Sequence, residues 1–377
     1  MERDFDRIPC CIMRGGTSRG IFLKSNHLPL DPARRNAVIL DVFGSPDIRQ
    51  IDGLGGADPL TSKLAIVGPP TRPDADVDYT FAQVGIDRAI VDAAGNCGNI
   101  SSAVGPFAVN EGLVRAVEPV TTVRIHNTNT GKLLVAEVPV LNGQARTTGD
   151  CRIAGVPGTG AEILLDFSDT AGSTTGKLLP TGNPLDRLET SRGALDVSIV
   201  DAANPMVFVR ARDVGMRGTE TPREINGDAE LLARLEEIRG RAAVLCGMAK
   251  TPEDALRRSP AFPMLAFVAP PADYTDFTTG ETVRAEDMDM VSRLMFMQVV
   301  HKAYAGTGIC CTGAAMKIPG TIPHETAPDA GTTLRIGHPS GIMTVQADVR
   351  DGRLVRCAFS RTARRIMDGY VYLHVER

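Results

Sequence analysis

An α+β protein built of two similar halves is what the sequence predicts, and three observations carry that prediction. Short apolar runs with strand character recur along the whole chain, few segments keep helical spacing for long, and each half contains a glycine turn leading into a short stretch of small apolar residues. The 377 residues exceed one ordinary hydrophobic core, so about two domains are expected. With 38 glycines, 25 prolines, five tyrosines and no tryptophan, the composition suits many short strands joined by tight turns.

In chain order, Ile8–Met13 and Gly20–Leu23 flank the glycine-rich turn from Arg14 to Gly20. Asp31 and Pro32 then open a helix that runs to Phe43, with Asp31 as N-cap, Pro32 at the first helical position and Gly44 as the stop. Strands are expected over Leu64–Val67, Asp78–Val84, Val120–His126, Leu133–Val140 and Ile163–Phe167. A second set covers Val197–Val200, Pro205–Ala211, Pro263–Val268, Leu334–Ile336, Met343–Val349 and Leu354–Arg361. Between these, helical spacing predicts helices over Gly227–Arg239 and over Asp287–Ala303, the latter with Met288, Val291, Leu294, Met295 and Gln298 on one face. The Gly-, Ser-, Thr- and Pro-rich stretch Ser168–Asp186 is the expected connection, dividing the chain into residues 1–185 and 186–377, with a C-terminal strand able to return to the first domain.

Two short helices stand apart. Asn96-Cys97-Gly98-Asn99 leads into Ile100–Val109, and Ala305-Gly306-Thr307-Gly308 leads into Ile309–Met316. Both are apolar nearly all round and therefore buried. Each presents a helix N-terminus fed by a glycine turn, and such ends favour anions; the two are expected to face each other across a cleft.

Charge and cysteine usage exclude several classes. A net charge of −4 gives no field for nucleic acid or an anionic membrane, so an anionic substrate must be held locally. No apolar run is long enough to span a bilayer, and the charged Met1–Pro9 stretch has no signal-like core, so a cytoplasmic location is expected. The eight cysteines include adjacent pairs, Cys10-Cys11 and Cys310-Cys311, and no CxxC spacing; free thiols are expected. The six histidines are scattered, and no metal site is expected.

Cys97 is the leading candidate for chemistry. A free cysteine is ordinarily a small core residue, but the flanking Asn96, Gly98 and Asn99 make a poor core context. At a helix start, the macrodipole and the unpaired N–H groups favour a thiolate, which can take a proton from carbon. Lys63 ends the glycine-rich loop from Ile51 and heads an apolar strand; it is either a solvated surface lysine or an acid/base group aimed into a cleft. The turn with Gly16, Thr17 and Ser18, and Arg14 or Arg19 beside it, resembles a carboxylate cradle. It fits neither Walker A nor GxGxxG, so nucleotide binding is disfavoured. Gly306, Thr307 and Gly308, the turn with His338 and Ser340, and Arg293, His301 and Lys302 are further candidates.

The motifs Met13–Gly20, Gln50–Gly56, Leu60–Lys63, Gly95–Asn99, Gly105–Phe107 and Gly337–Gly341 occur in that order and resemble the PrpF family over about Ile8 to Tyr372. That family comprises aconitate isomerases, oxalomesaconate tautomerases and methylitaconate delta-isomerase; Ile125–Lys132 and Ser292–Gln298 look most like the last. The resemblance implies a diaminopimelate-epimerase-like fold, two domains each with a mixed sheet around a central helix. It also implies a cofactor-free shift of a C=C bond in a small unsaturated di- or tricarboxylate. The family's acid/base cysteine and lysine fall on Cys97 and Lys63, with Asn96, Gly98 and Asn99 beside them. The parent epimerases carry a second cysteine where this chain has Ala305, so two-cysteine racemisation lacks a partner. Oligomeric state is left open, a homo-oligomer included.

Overall fold

The computed structural model describes Asp6–Ala93 and Gly95–His374; residues 1–5 of the charged N-terminal stretch lie outside the described residues. The chain divides into two compact units, Met1–Leu165 with Arg361–Arg377, and Asp166–Ser360.

In the first unit, β1 (Asp6–Gly15), β2 (Ser18–Lys24), β3 (Lys63–Gly68) and β4 (Val77–Val84) lie side by side. The C-terminal strand Ala363–Leu373 pairs with the outer side of β1, and Val120–Asn127 and Lys132–Leu141 extend the sheet beyond β4. Starting from the C-terminal strand, successive neighbours pair antiparallel, antiparallel, parallel, antiparallel, parallel and antiparallel. The helix α1 (Pro32–Phe43) joins β2 to β3, as its caps predict: the Asp31 carboxylate accepts from Arg34 N, and Gly44 closes it at φ 67°. Its Val38, Ile39, Val42 and Phe43 pack with Ile21, Leu64 and Ala82 on one face of the sheet. The second helix, α2 (Gly98–Asn110), lies on the other face and is buried over Gly98–Val109. It touches strands from one end of the sheet to the other.

The second unit repeats this order of pairings. Asp186–Thr190, Gly193–Ala202, Asn204–Arg210, Met264–Ala269, Met290–Phe296, Thr333–His338 and Gly341–Arg350 pair in the same sequence of antiparallel and parallel steps. Ala229–Leu245 stands where α1 does, and Gly306–Met316, buried throughout, stands where α2 does. Connections that pass through helices join the parallel neighbours at these two steps.

Two expectations need correction. Ser168–Asp186 is not outside the second unit but part of it. The fully buried Asp201 carboxylate accepts from the Thr174 and Thr175 backbone N–H groups, at 2.9 and 2.7 Å, and binds this stretch to the strand Gly193–Ala202. The break therefore falls at Leu165/Asp166, ahead of the expected 185/186. The region 287–303 is not a helix: Met290–Phe296 and Val299–Val300 form a hairpin closed by Met297 and Gln298 at φ 54° and 60°. Met290–Met295 is buried on both faces, which produces an apolar run that also satisfies helical spacing. The other expected long helix begins at Ala229 under the Asp228 cap and runs past Arg239 to Leu245. Among the described residues no helix is long and apolar enough to cross a membrane.

Candidate active site

In the first unit three separate motifs meet at the N-terminal end of α2. Strand register settles which side chains face the helix. Gly20 pairs with Lys63, and Lys63 pairs with Gln83, so these three positions share a face; Ser18 and Phe22 on β2 and Tyr79 and Phe81 on β4 follow by alternation. That face is the one α2 covers. A Cβ at Gly20 would lie 2.9 Å from Ile100 Cδ1 and 3.0 Å from Lys63 O, and the Phe22 and Phe107 rings lie 5.4 Å apart. Only glycine lets β2 approach the first turn of α2 this closely.

Cys97 is the N-cap of α2, in extended conformation at φ −124° and ψ 100°. Its side chain makes no capping hydrogen bond, whereas Asp31, Thr221, Asp228, Thr251 and Thr321 all cap their helices with side-chain oxygen. Its backbone O accepts from Ser101 N and Ser101 Oγ, and Ser101 Oγ also bonds Asn96 Oδ1 at 3.2 Å, so the loop entering the helix is fixed. The phenol of Tyr79, fully buried on the same face, is pushed well above its ordinary range by burial, and Cys97 adds to the effect.

The turn from Gly15 to Ser18 is bound to the same helix. Asn99 Nδ2 donates to Thr17 Oγ1 at 3.1 Å, and Asn99 Oδ1 accepts from Thr17 N at 3.5 Å and from Arg361 Nε at 3.1 Å. Gly16 takes φ 52°, and a Cβ there would collide with the Asn99 amide. The buried Arg361 is a second cation at this turn, beside the expected Arg14. Arg14 donates to Gly16 O, Thr362 O and Thr362 Oγ1, holding the residue before the C-terminal strand to the turn. Arg361 was missed because nothing in its local sequence marks it; only the pairing of the C-terminal segment with β1 brings it here.

Lys63 is buried, not solvated: 4 % of it is exposed. Its Nζ donates to Gln83 Oε1 at 2.6 Å and lies 5.4 Å from the centroid of the Phe81 ring. The loop before it is folded round Gln50, whose amide binds Ser45 Oγ, Ser62 Oγ and Ala57 N.

The candidates in the second unit form a parallel arrangement. Gly306, Thr307 and Gly308 open the buried helix, and Ala305 is its N-cap without any side-chain bond. Thr307 Oγ1 accepts from Asn204 Nδ2 at 2.8 Å. His338 is buried with its ring 6.3 Å from that of Tyr304. Its Nδ1 accepts from Ser340 N at 3.3 Å, so the neutral ring carries its proton on Nε2. Tyr304, pushed up to about 12 by burial, links Ser292 and Thr312. Arg293 is a structural group in a strand, not a helix residue: it donates to Glu220 O and Ser292 O and lies over the Tyr274 ring. His301 Nδ1 accepts from Ala303 N, and Lys302 is exposed on the same turn. Among the described residues no group of His, Cys, Asp and Glu gathers as a metal site would require.

All eight cysteines are free. Cys10, Cys11, Cys310, Cys311 and Cys357 are buried, leaving Cys97, Cys151 and Cys246 partly exposed. Burial raises Cys151 and pushes Cys246 up to about 11, so both are poor nucleophiles near neutral pH. Iodoacetamide near neutral pH is therefore expected to label Cys97 first. Peptide mass spectrometry should show activity falling in step with that label, and first labelling at Cys246 would contradict the assignment of the reactive thiol.

The repeated sheet-and-helix unit defines a diaminopimelate-epimerase-like enzyme fold. A hydroxyproline epimerase from Agrobacterium vitis shares it with a TM-score of 0.57 at 14% identity, over 98% of this chain and 93% of that one. The family model described as PrpF protein matches residues 5–374, and the chain belongs to that family. It is 64% identical over 369 residues to the 3-methylitaconate isomerase of Eubacterium barkeri, covering 97% of each chain. A solved methylitaconate-delta-isomerase matches with a TM-score of 0.85 and 64% identity, over 98% of this chain and 96% of that one. The protein is an enzyme of the isomerase class.

Proposed function

We propose that this isomerase converts methylitaconate, 2-methylene-3-methylsuccinate, to dimethylmaleate by a 1,3-proton shift run by Lys63 and Cys97 without a cofactor. The observation that carries the proposal is the buried Lys63 on the sheet face covered by α2, with Cys97 uncapped at the start of that helix. The 64% identity to the Eubacterium barkeri enzyme supports the choice of substrate.

The chemistry follows from the carbon skeleton. The C3 proton is allylic to the methylene group and alpha to a carboxylate, so its removal gives a dienolate-like anion. Return of a proton to the former methylene carbon makes a methyl group, and the double bond moves between C2 and C3. Lys63 and Cys97 divide the removal and the return, as opposed acid and base roles require. Backbone N–H groups of the first turn of α2 and of the Gly16–Ser18 turn stabilise the carboxylate on which charge develops. Ser18 Oγ is buried on the same face as Gly20 and has no partner among the described residues, and a substrate carboxylate supplies one. Gly306, Thr307, Gly308, His338 and Ser340 of the second unit are proposed as further substrate-binding residues. The free thiols support a cytoplasmic setting.

The test is an absorbance screen of chelated, dialysed enzyme against methylitaconate, the aconitates and oxalomesaconate, followed by turnover in D2O. The expected result is fast conversion of methylitaconate with deuterium on the new methyl carbon. Faster turnover of an aconitate or of oxalomesaconate would reassign the substrate. Deuterium returned to C3 with no change in ultraviolet absorbance would overturn the 1,3-shift, and activity lost on chelation would overturn the cofactor-free claim.

A further inference from the structure

We infer that Gln83 is a positioning residue for Lys63, fixing the direction of its Nζ while leaving its proton free to move; this rests on the acid/base role proposed for Lys63. Gln83 sits directly across the β3–β4 ladder from Lys63. Its amide nitrogen donates to Pro59 O at 3.1 Å and Ser62 O at 2.9 Å. Two carbonyls on that side determine the orientation of the amide: the flipped form would set oxygen against two oxygens and N–H against the lysine. Oε1 must therefore face Lys63, and it accepts from Nζ at 2.6 Å.

The neutrality of the partner matters as much as its place. Charged partners are available elsewhere in the unit, as where Lys24 meets Glu111 at 2.8 Å. A carboxylate across from Lys63 would hold its proton by charge. An amide oxygen accepts a hydrogen bond from either the ammonium or the amine and aligns both. Gln83 also closes the loop that delivers Lys63, since Pro59 and Ser62 belong to that loop, so one side chain fixes both the backbone and the tip of the lysine. A polar residue on the buried face of β4, alternating with Tyr79 and Phe81, is the sequence signal for such a role.

The test compares Gln83→Glu, Gln83→Met and Lys63→Met in the full chain, with melting curves, kcat, KM and the pH dependence of kcat for each. Gln83→Met is expected to lower kcat at least about tenfold with KM within about threefold. In Gln83→Glu, the limb of the pH profile that belongs to Lys63 should move to higher pH by about one unit or more, whichever direction the lysine works in. Folded variants with a lowered melting temperature but wild-type kcat and an unmoved limb would make Gln83 a loop clamp only and overturn the inference. If Gln83→Met does not fold, the near-isosteric Gln83→Glu and its limb decide alone. A Lys63→Met variant with wild-type kcat would instead remove the acid/base reading itself, an outcome separate from failure at Gln83.

Discussion

Cys97→Ser is expected to lose about 10²- to 10⁴-fold in kcat, the range for removal of an acid/base group, while its melting temperature stays level or rises. The two effects have one cause. Cys97 stands at the N-cap of α2 in extended conformation, and its sulfur makes no capping bond. Serine is among the best N-cap residues, contributing about 1 kcal/mol over a non-capping side chain. Its hydroxyl will turn onto the first-turn N–H groups, the same donors proposed to face the substrate. Serine also cannot supply an anion near neutral pH as a thiol can. Cys97→Ala separates the terms: equal loss of activity with no gain in stability. Calorimetry and steady-state kinetics on the two variants check this. Substantial activity in the serine variant would remove Cys97 from proton transfer.

The parts of this fold legible in the sequence were those with local causes. Asp31-Pro32 and Gly44 bound α1 because capping depends on the residues at the ends themselves. The two central helices were legible from glycine turns feeding small apolar residues, and the position of Cys97 at one start and Ala305 at the other followed. What was not legible depends on distant pairing. The 287–303 region satisfied a helical pattern because a strand buried on both faces has no alternation to betray it. Arg361 reaches the Gly16 turn through Asn99, far away in sequence, and Arg14 turns to Thr362 instead. The burial of Lys63 needed the β2–β3–β4 register, which no local motif encodes.

The repeat of topology lets corresponding positions of the two units be compared. Met264 heads the strand that corresponds to β3, and Ala305 corresponds to Cys97, so the second unit keeps the helix end and lacks both groups proposed to carry protons. An asymmetric pair of units suits a reaction that moves a proton between two carbons better than one that inverts a single carbon.

Lys63→Met should lower kcat at least about a hundredfold with KM within about threefold. Methionine retains most of the length and the apolar contact with Phe81, and it removes a buried cation. The cost includes an unmet acceptor, Gln83 Oε1, which loses Nζ as its donor. Stability should therefore change little, and the kinetic effect can be read as chemistry. Lys63→Arg decides what kind of chemistry. Arginine keeps the positive charge and its hydrogen-bond donors but does not give up its proton near neutral pH. If Lys63 only held a carboxylate, arginine would preserve much of kcat and the methionine variant would show a raised KM with kcat intact. If Lys63 gives or takes a proton in each turnover, both variants fail in kcat. The second pattern is expected, because the lysine is buried and its Nζ is aligned by the neutral amide of Gln83, which accepts a hydrogen bond from the ammonium and the amine alike.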